Sequence, residues 1–137
     1  MLDGRDLLCI LPTGAGKSLC WQLPALMMDG LTIVISPLIV LMHDQVRHLR
    51  ERGIPSVHLD SLMTPAERAD ALNQLTRGQA KIAFLAPERL NHPEINALCR
   101  QHPPAMVVVD EAHCVVQWGE AFRPSYQQIG QFVSSLP

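Results

Sequence analysis

The run Leu11-Pro12-Thr13-Gly14-Ala15-Gly16-Lys17-Ser18 has the residue types and spacing of a phosphate cradle. Gly14 and Gly16 let the backbone turn so that successive N–H groups face phosphate oxygens. A helix following the loop adds the positive end of its dipole. Read this way, residues Thr13 through Leu19 surround a nucleoside triphosphate. Lys17 reaches the β- and γ-phosphates, and the Ser18 hydroxyl ligates magnesium. The general pattern G-x-x-x-x-G-K-[ST] differs at one place, where this chain has Leu11. Far downstream, Asp110-Glu111-Ala112-His113 ends the apolar run Met106–Val109. Asp110 suits a magnesium ligand, directly or through water, and Glu111 suits the group that orients and deprotonates an attacking water. Positioned charges of this kind supply most of what phosphoryl transfer asks of a protein. Taken singly, the loop could be an ordinary strand-to-helix turn and the acids a capped sheet edge. Their joint occurrence favours the catalytic reading.

A third cluster is Gln117-Trp118-Gly119-Glu120-Ala121-Phe122-Arg123-Pro124, continuing to Tyr126. The chain has two tryptophans and one tyrosine, and Trp118 and Tyr126 both fall here beside Phe122 and Arg123. Aromatic rings with a neighbouring arginine can stack unpaired bases, although aromatic residues more commonly just fill a core edge. Attachment to the acidic cluster favours a nucleic-acid role.

These residues need a scaffold, and the pattern of the chain predicts one. Leu7–Leu11 reads as a buried strand leading into the loop, with Cys9 as a small core residue. A helix over Lys17–Met28 follows, stopped by Asp29-Gly30. Leu31–Ser36 is a second strand, Leu38–Arg52 a helix ending at Gly53, and Ser56–Leu59 a short strand. Thr64-Pro65-Ala66-Glu67 has the form of a capping box with proline at the first helical position. Its helix runs to Thr76. Lys81–Leu85, a helix over Pro93–Cys99, the strongly apolar strand Met106–Val109 and a helical tail over Ser125–Ser135 complete the reading. Strands alternating with helices and apolar on both faces predict one α/β domain, a parallel sheet with helices on both sides. Ligands then sit beyond the carboxyl ends of the strands. The four chemically loaded segments, the glycine loop, Ser36-Pro37-Leu38, Ala86-Pro87-Glu88-Arg89 and Asp110–His113, should share one edge.

Composition sets bounds. The 137 residues suffice for one domain. No run approaches the roughly 18 apolar residues of a membrane span, and the start does not read as a signal peptide. Four scattered cysteines without a C-x-x-C pair argue against a zinc site and against a disulfide framework. A formal charge of −2 is not the signature of a nucleic-acid binder, so any DNA contact must be local. A cytoplasmic, nucleoid-associated bacterial protein is expected.

With these segments in view, the chain resembles the first RecA-like domain of the RecQ-family DNA helicases of superfamily two. The likeness rests on residues 11–25, Ser36-Pro37-Leu38-Ile39 with Asp44-Gln45-Val46, and Pro87-Glu88-Arg89-Leu90. It continues through Val109-Asp110-Glu111-Ala112-His113-Cys114, Gln117-Trp118-Gly119 and Phe122-Arg123-Pro124. Leu11 fits too, because RecQ proteins commonly lack glycine there. The resemblance implies a RecA-like P-loop NTPase fold, ATP and Mg2+ as cofactors, and 3′-to-5′ unwinding of DNA in repair and recombination. It implies that single-stranded or partially duplex DNA runs past Ser36, Pro37, Pro87 and Glu88. His113 would link ATP to DNA, and Gln117, Trp118, Phe122 and Arg123 would form a coupling loop.

Departures from the family pattern are Glu120-Ala121 for the usual His-Asp, Val116 for serine, and Val40 for the serine of the second motif. The adenine-reading motif upstream, the second RecA-like domain with its arginine finger, and the zinc and winged-helix modules are expected to be missing, so that the domain is incomplete at both ends. An arginine finger contributes about 10³–10⁵ in rate, and the chain is therefore expected to turn over ATP poorly alone. A truncated or degenerate paralogue that binds nucleotide or DNA without unwinding is the alternative. An RNA helicase is disfavoured by the Gln117-Trp118-Gly119 and Phe122-Arg123-Pro124 segments.

Overall fold

The structure is a computed structural model that describes residues 2–12, 14–114 and 123–137, with residues 123–126 described in backbone only. Its elements are α1 (Lys17–Met27), β1 (Thr32–Ile35), α2 (Ile39–Glu51), β2 (Ser56–Leu59), α3 (Pro65–Thr76), β3 (Ile82–Leu85), a 3-10 turn (Pro87–Arg89), α4 (Pro93–Gln101), β4 (Met106–Val109) and α5 (Arg123–Ser135). The four strands form one parallel sheet in the order β2-β3-β1-β4.

Alternation along each strand divides the core in two. Val34, Ile82 and Phe84 point to one face, against Trp21 and Ala25 of α1 and Met42, Val46 and Leu49 of α2. Trp21 meets Phe84 edge to face, with ring centroids 5.8 Å apart. Ile33, Ile35, Val57, Leu59, Ala83 and Leu85 point to the other face, against residues of α3, α4 and α5 that include Leu75, Leu98 and Phe132. Helices therefore cover both faces, as the parallel α/β reading requires.

Local signals also act as expected. Thr64 Oγ1 accepts the Glu67 N–H at 3.2 Å, and the Glu67 carboxylate accepts the Thr64 N–H at 2.8 Å, closing the capping box that starts α3.

One expectation fails. Leu7–Leu11 is not a strand and pairs with neither sheet edge. Leu8 is 78% exposed and Ile10 83% exposed, and Cys9 lies at the surface rather than in the core. Apolar composition records a tendency to be buried but supplies no ladder partner, and a strand without one gains nothing from its backbone groups. β4 has the most apolar sequence of the strands, yet its residues are only half-buried and Val109 is exposed, because β4 forms the outer edge of the sheet.

Candidate functional site

Register aligns the carboxyl ends of the strands. Ile35 stands opposite both Leu85 and Val109, and Leu59 stands opposite Leu85. The next residues, Ser36, Asp60, Ala86 and Asp110, therefore form a row. Backbone bonds continue the ladder into it, from Ser36 N–H to the Leu85 carbonyl, Ala86 N–H to Leu59, and Asp110 N–H to Ile35.

The glycine loop reaches this row from the side of β4. Gly14 and Gly16 adopt φ of 81° and 77°, in the left-handed region where a Cβ is strained. The Ala15 N–H donates to the Pro12 carbonyl at 3.1 Å, and α1 begins at Lys17 with no side chain capping it. An uncapped helix start leaves N–H donors for an anion. Ser18 lies half-buried in the first turn.

Lys17 Nζ is 3.4 Å from Glu111 Oε1 and 3.8 Å from Asp110 Oδ1. Residues 94 positions apart thus meet at one point. Asp110 is buried at 6% exposure and its Oδ1 accepts the Glu111 N–H at 3.0 Å. The other Glu111 oxygen, Oε2, lies 3.1 Å from His113 Nε2, so one carboxylate bridges lysine and histidine. Glu111 has φ 52°, the one positive φ at a non-glycine among the described residues. Such a conformation costs on the order of 1 kcal/mol or more and is typical of functional turns. Residue type gave no warning of it.

These groups fit a magnesium–nucleoside triphosphate. The uncapped helix start and left-handed loop offer donors to phosphate, Lys17 offers a cation, and Ser18 and the buried Asp110 offer hard oxygen ligands.

The remaining expected residues divide between the row and the undescribed segment. Ser36 is buried, with Oγ accepting a long 3.4 Å bond from the Leu38 N–H, and Pro37 is half-buried. Pro87 is buried and Glu88 exposed in the 3-10 turn. Thr13, Val116, Gln117, Trp118, Glu120, Ala121 and Phe122 lie outside the described residues, as does the side chain of Arg123, whose backbone starts α5.

Sequence reasoning missed Asp60, the fourth member of the row. It is fully buried, and its Oδ1 accepts the Leu62 N–H at 2.8 Å. Burial alone would raise its pKa, but bonds from His43, Leu62 and His58 outweigh that and hold the carboxyl below its usual range. His58 moves down from its ordinary value, because burial and nearby His43 outweigh Asp60. The available signal was position, since Asp60 follows β2 just as Asp110 follows β4.

Comparison with known proteins agrees with this architecture. A family model described as DEAD/DEAH box helicase matches residues 1–137. The ATP-dependent DNA helicase RecQ of Synechocystis sp. is 47% identical over 132 residues, covering 95% of this chain and 28% of that protein. RecQ of Haemophilus influenzae is 44% identical over 136 residues, covering 99% of this chain and 22% of the relative. RecQ of Bacillus subtilis is 49% identical over 121 residues, covering 88% and 20%. The chain thus spans between a fifth and three tenths of these relatives' length. No described helix is long and apolar enough to cross a membrane. A helicase family match over the whole chain, on a parallel α/β sheet, settles the affiliation: this chain belongs to the DEAD/DEAH box helicase family and is similar to RecQ helicases within it.

Proposed function

We propose that these residues form the ATP-binding core of a RecQ-type 3′-to-5′ DNA helicase serving repair and recombination. The observation that carries the reading is Lys17 between Asp110 and Glu111 at the carboxyl edge of the sheet. In this mechanism the loop from Thr13 to Leu19 wraps the phosphates and Lys17 holds the β- and γ-oxygens. Ser18 and Asp110 hold magnesium, which when bound neutralises phosphate charge. Glu111 aligns a water against the γ-phosphorus and takes its proton as the new P–O bond forms and the bond to the β-phosphate oxygen breaks, giving ADP and phosphate. His113, whose Nε2 lies 3.1 Å from Glu111 Oε2, carries the state of the nucleotide toward the DNA.

DNA would lie along the row of strand ends, past Ser36, Pro37, Pro87 and Glu88, with Gln117, Trp118, Phe122 and Arg123 stacking on unpaired bases. Lys17 is the cation paired with Asp110 and Glu111 among the described residues. An arginine from a second RecA-like domain would complete the charge balance, so the 137-residue chain should bind ATP but hydrolyse it slowly. Weak coupling is also expected from Glu120-Ala121, which puts a carboxylate where a histidine is usual.

The test is ATP hydrolysis with and without single-stranded DNA, for the wild type, Lys17→Ala and the paired change Glu120→His with Ala121→Asp. Slow hydrolysis lost in Lys17→Ala, with DNA stimulation raised by the paired change, is expected. Hydrolysis indifferent to Lys17→Ala removes the site assignment. Strong DNA unwinding by these residues alone removes the need for a second domain.

A further inference from the structure

Two imidazoles, from α2 and from β2, converge on one carboxylate oxygen of Asp60. His43 belongs to the first half of α2, His58 to β2, and Asp60 follows β2. Nε2 of His43 lies 2.8 Å from Asp60 Oδ2, and Nδ1 of His58 lies 2.9 Å from the same oxygen. All three atoms fall within 4.8 Å of one another. The imidazole rings are 4.1 Å apart between centroids and tilted by 35°. Asp60 is held from behind, with Oδ1 bonded to the Leu62 N–H at 2.8 Å and its carbonyl accepting from Arg89 Nη2 at 2.8 Å. The His43 side chain is 42% exposed, which opens one side of the cluster to solvent.

We propose that His43, His58 and Asp60 form a binding site for a single divalent transition metal of the zinc class, with water in the remaining position. Two imidazole nitrogens and a carboxylate are a ligand set that first-row divalent ions favour. Ligand atoms about 2.0–2.2 Å from a tetrahedral ion lie about 3.3 Å from one another, so the nitrogens would draw back from Oδ2 by about half an ångström, starting from 2.8 and 2.9 Å, with their own separation within 4.8 Å. A purely hydrogen-bonded cluster would have both rings donate to the same oxygen. Moving each proton to the far ring nitrogen frees both lone pairs without net proton loss when the rings are neutral and Asp60 is ionised. The Leu62 N–H bond supplies the second-shell support that orients a ligating carboxylate.

The ion would join α2, the end of β2 and, through Arg89, the turn Pro87–Arg89. These segments flank the same carboxyl edge as the phosphate loop, and no residue is shared with it.

The test is a titration of the chelator-treated 137-residue chain with Co2+, followed by its visible absorption and by displacement with Zn2+ and, separately, with Mg2+. One Co2+ per chain, displaced by Zn2+ but not by Mg2+, is expected. Affinity should fall at least tenfold in His43→Gln and in His58→Gln, and persist in Cys9→Ser/Cys20→Ser and in His113→Gln. Circular dichroism verifies folding of each variant, and His43→Gln alone decides the matter if His58→Gln does not fold. The proposal is overturned by absence of Co2+ binding, by binding that survives His43→Gln, or by binding lost in His113→Gln, which would move the ion to Glu111, His113 and Cys114.

Discussion

Lys17 is paired with both strand-end acids, and this makes its substitution informative in two directions. Its ammonium lies 3.4 Å from Glu111 and 3.8 Å from Asp110. A hydrogen bond to a charged group contributes about 1.5–3 kcal/mol, which is what Lys17 should gain on phosphate. Against this stands whatever it gives up with the acids. The lysine is 36% exposed, so solvent screening holds that pair to about 0–1 kcal/mol. Lys17→Ala should therefore cost a net ~0.5–3 kcal/mol of nucleotide binding, or about 2- to 150-fold in Kd. Glu111→Gln removes the competitor without removing the cation, so it should tighten binding by up to about fivefold while abolishing hydrolysis. Fluorescence anisotropy of a labelled ATP with magnesium, titrated with each variant, reads both effects. Equal affinity of wild type and Lys17→Ala would refute the reasoning, as would weaker binding by Glu111→Gln.

Further outcomes follow from single features. Thr64→Ala removes a cap whose two reciprocal bonds start α3, and urea unfolding should show a loss of about 1 kcal/mol. The lowered pKa of His58 means that the unfolded chain takes up its proton first as pH falls below about 6.5. Stability should then decline with acidification by at most about 1.4 kcal/mol per pH unit for that one proton, and His58→Gln should flatten this part of the profile. Asp60 adds a loss of the same sign below its ordinary pKa of 3.8, since the folded state resists its protonation. Burial raises the Cys99 thiol to about 11, so at pH 8 a thiol reagent should label it far more slowly in the folded chain than in urea.

Legibility in the sequence tracked how local each signal was. The Thr64 box lies within four residues and was readable outright. Boundaries of the helices and inner strands were readable nearly as well, because breakers and apolar periodicity fix them. The edge position of β4 was not legible, since Met106–Val109 has the composition of a central strand and only strand order makes it an edge. Leu7–Leu11 was misread for the related reason that pairing is non-local. At the site, motif spacing identified Lys17, Asp110 and Glu111, but not the left-handed turn that aims Glu111. The His43, His58 and Asp60 cluster was invisible, because His43 is separated from Asp60 by 17 positions and only the packing of α2 on β2 unites them.

The most direct test of the central claim, that the glycine loop and the strand-end acids form one magnesium–nucleotide site, is a crystal structure with a non-hydrolysable ATP analogue and Mn2+. The expected result is an anomalous manganese peak between Ser18 Oγ and the Asp110 carboxylate, with Lys17 turned from Glu111 onto the γ-phosphate. Manganese bound away from Ser18 and Asp110, or triphosphate bound away from residues 13–19, would contradict it.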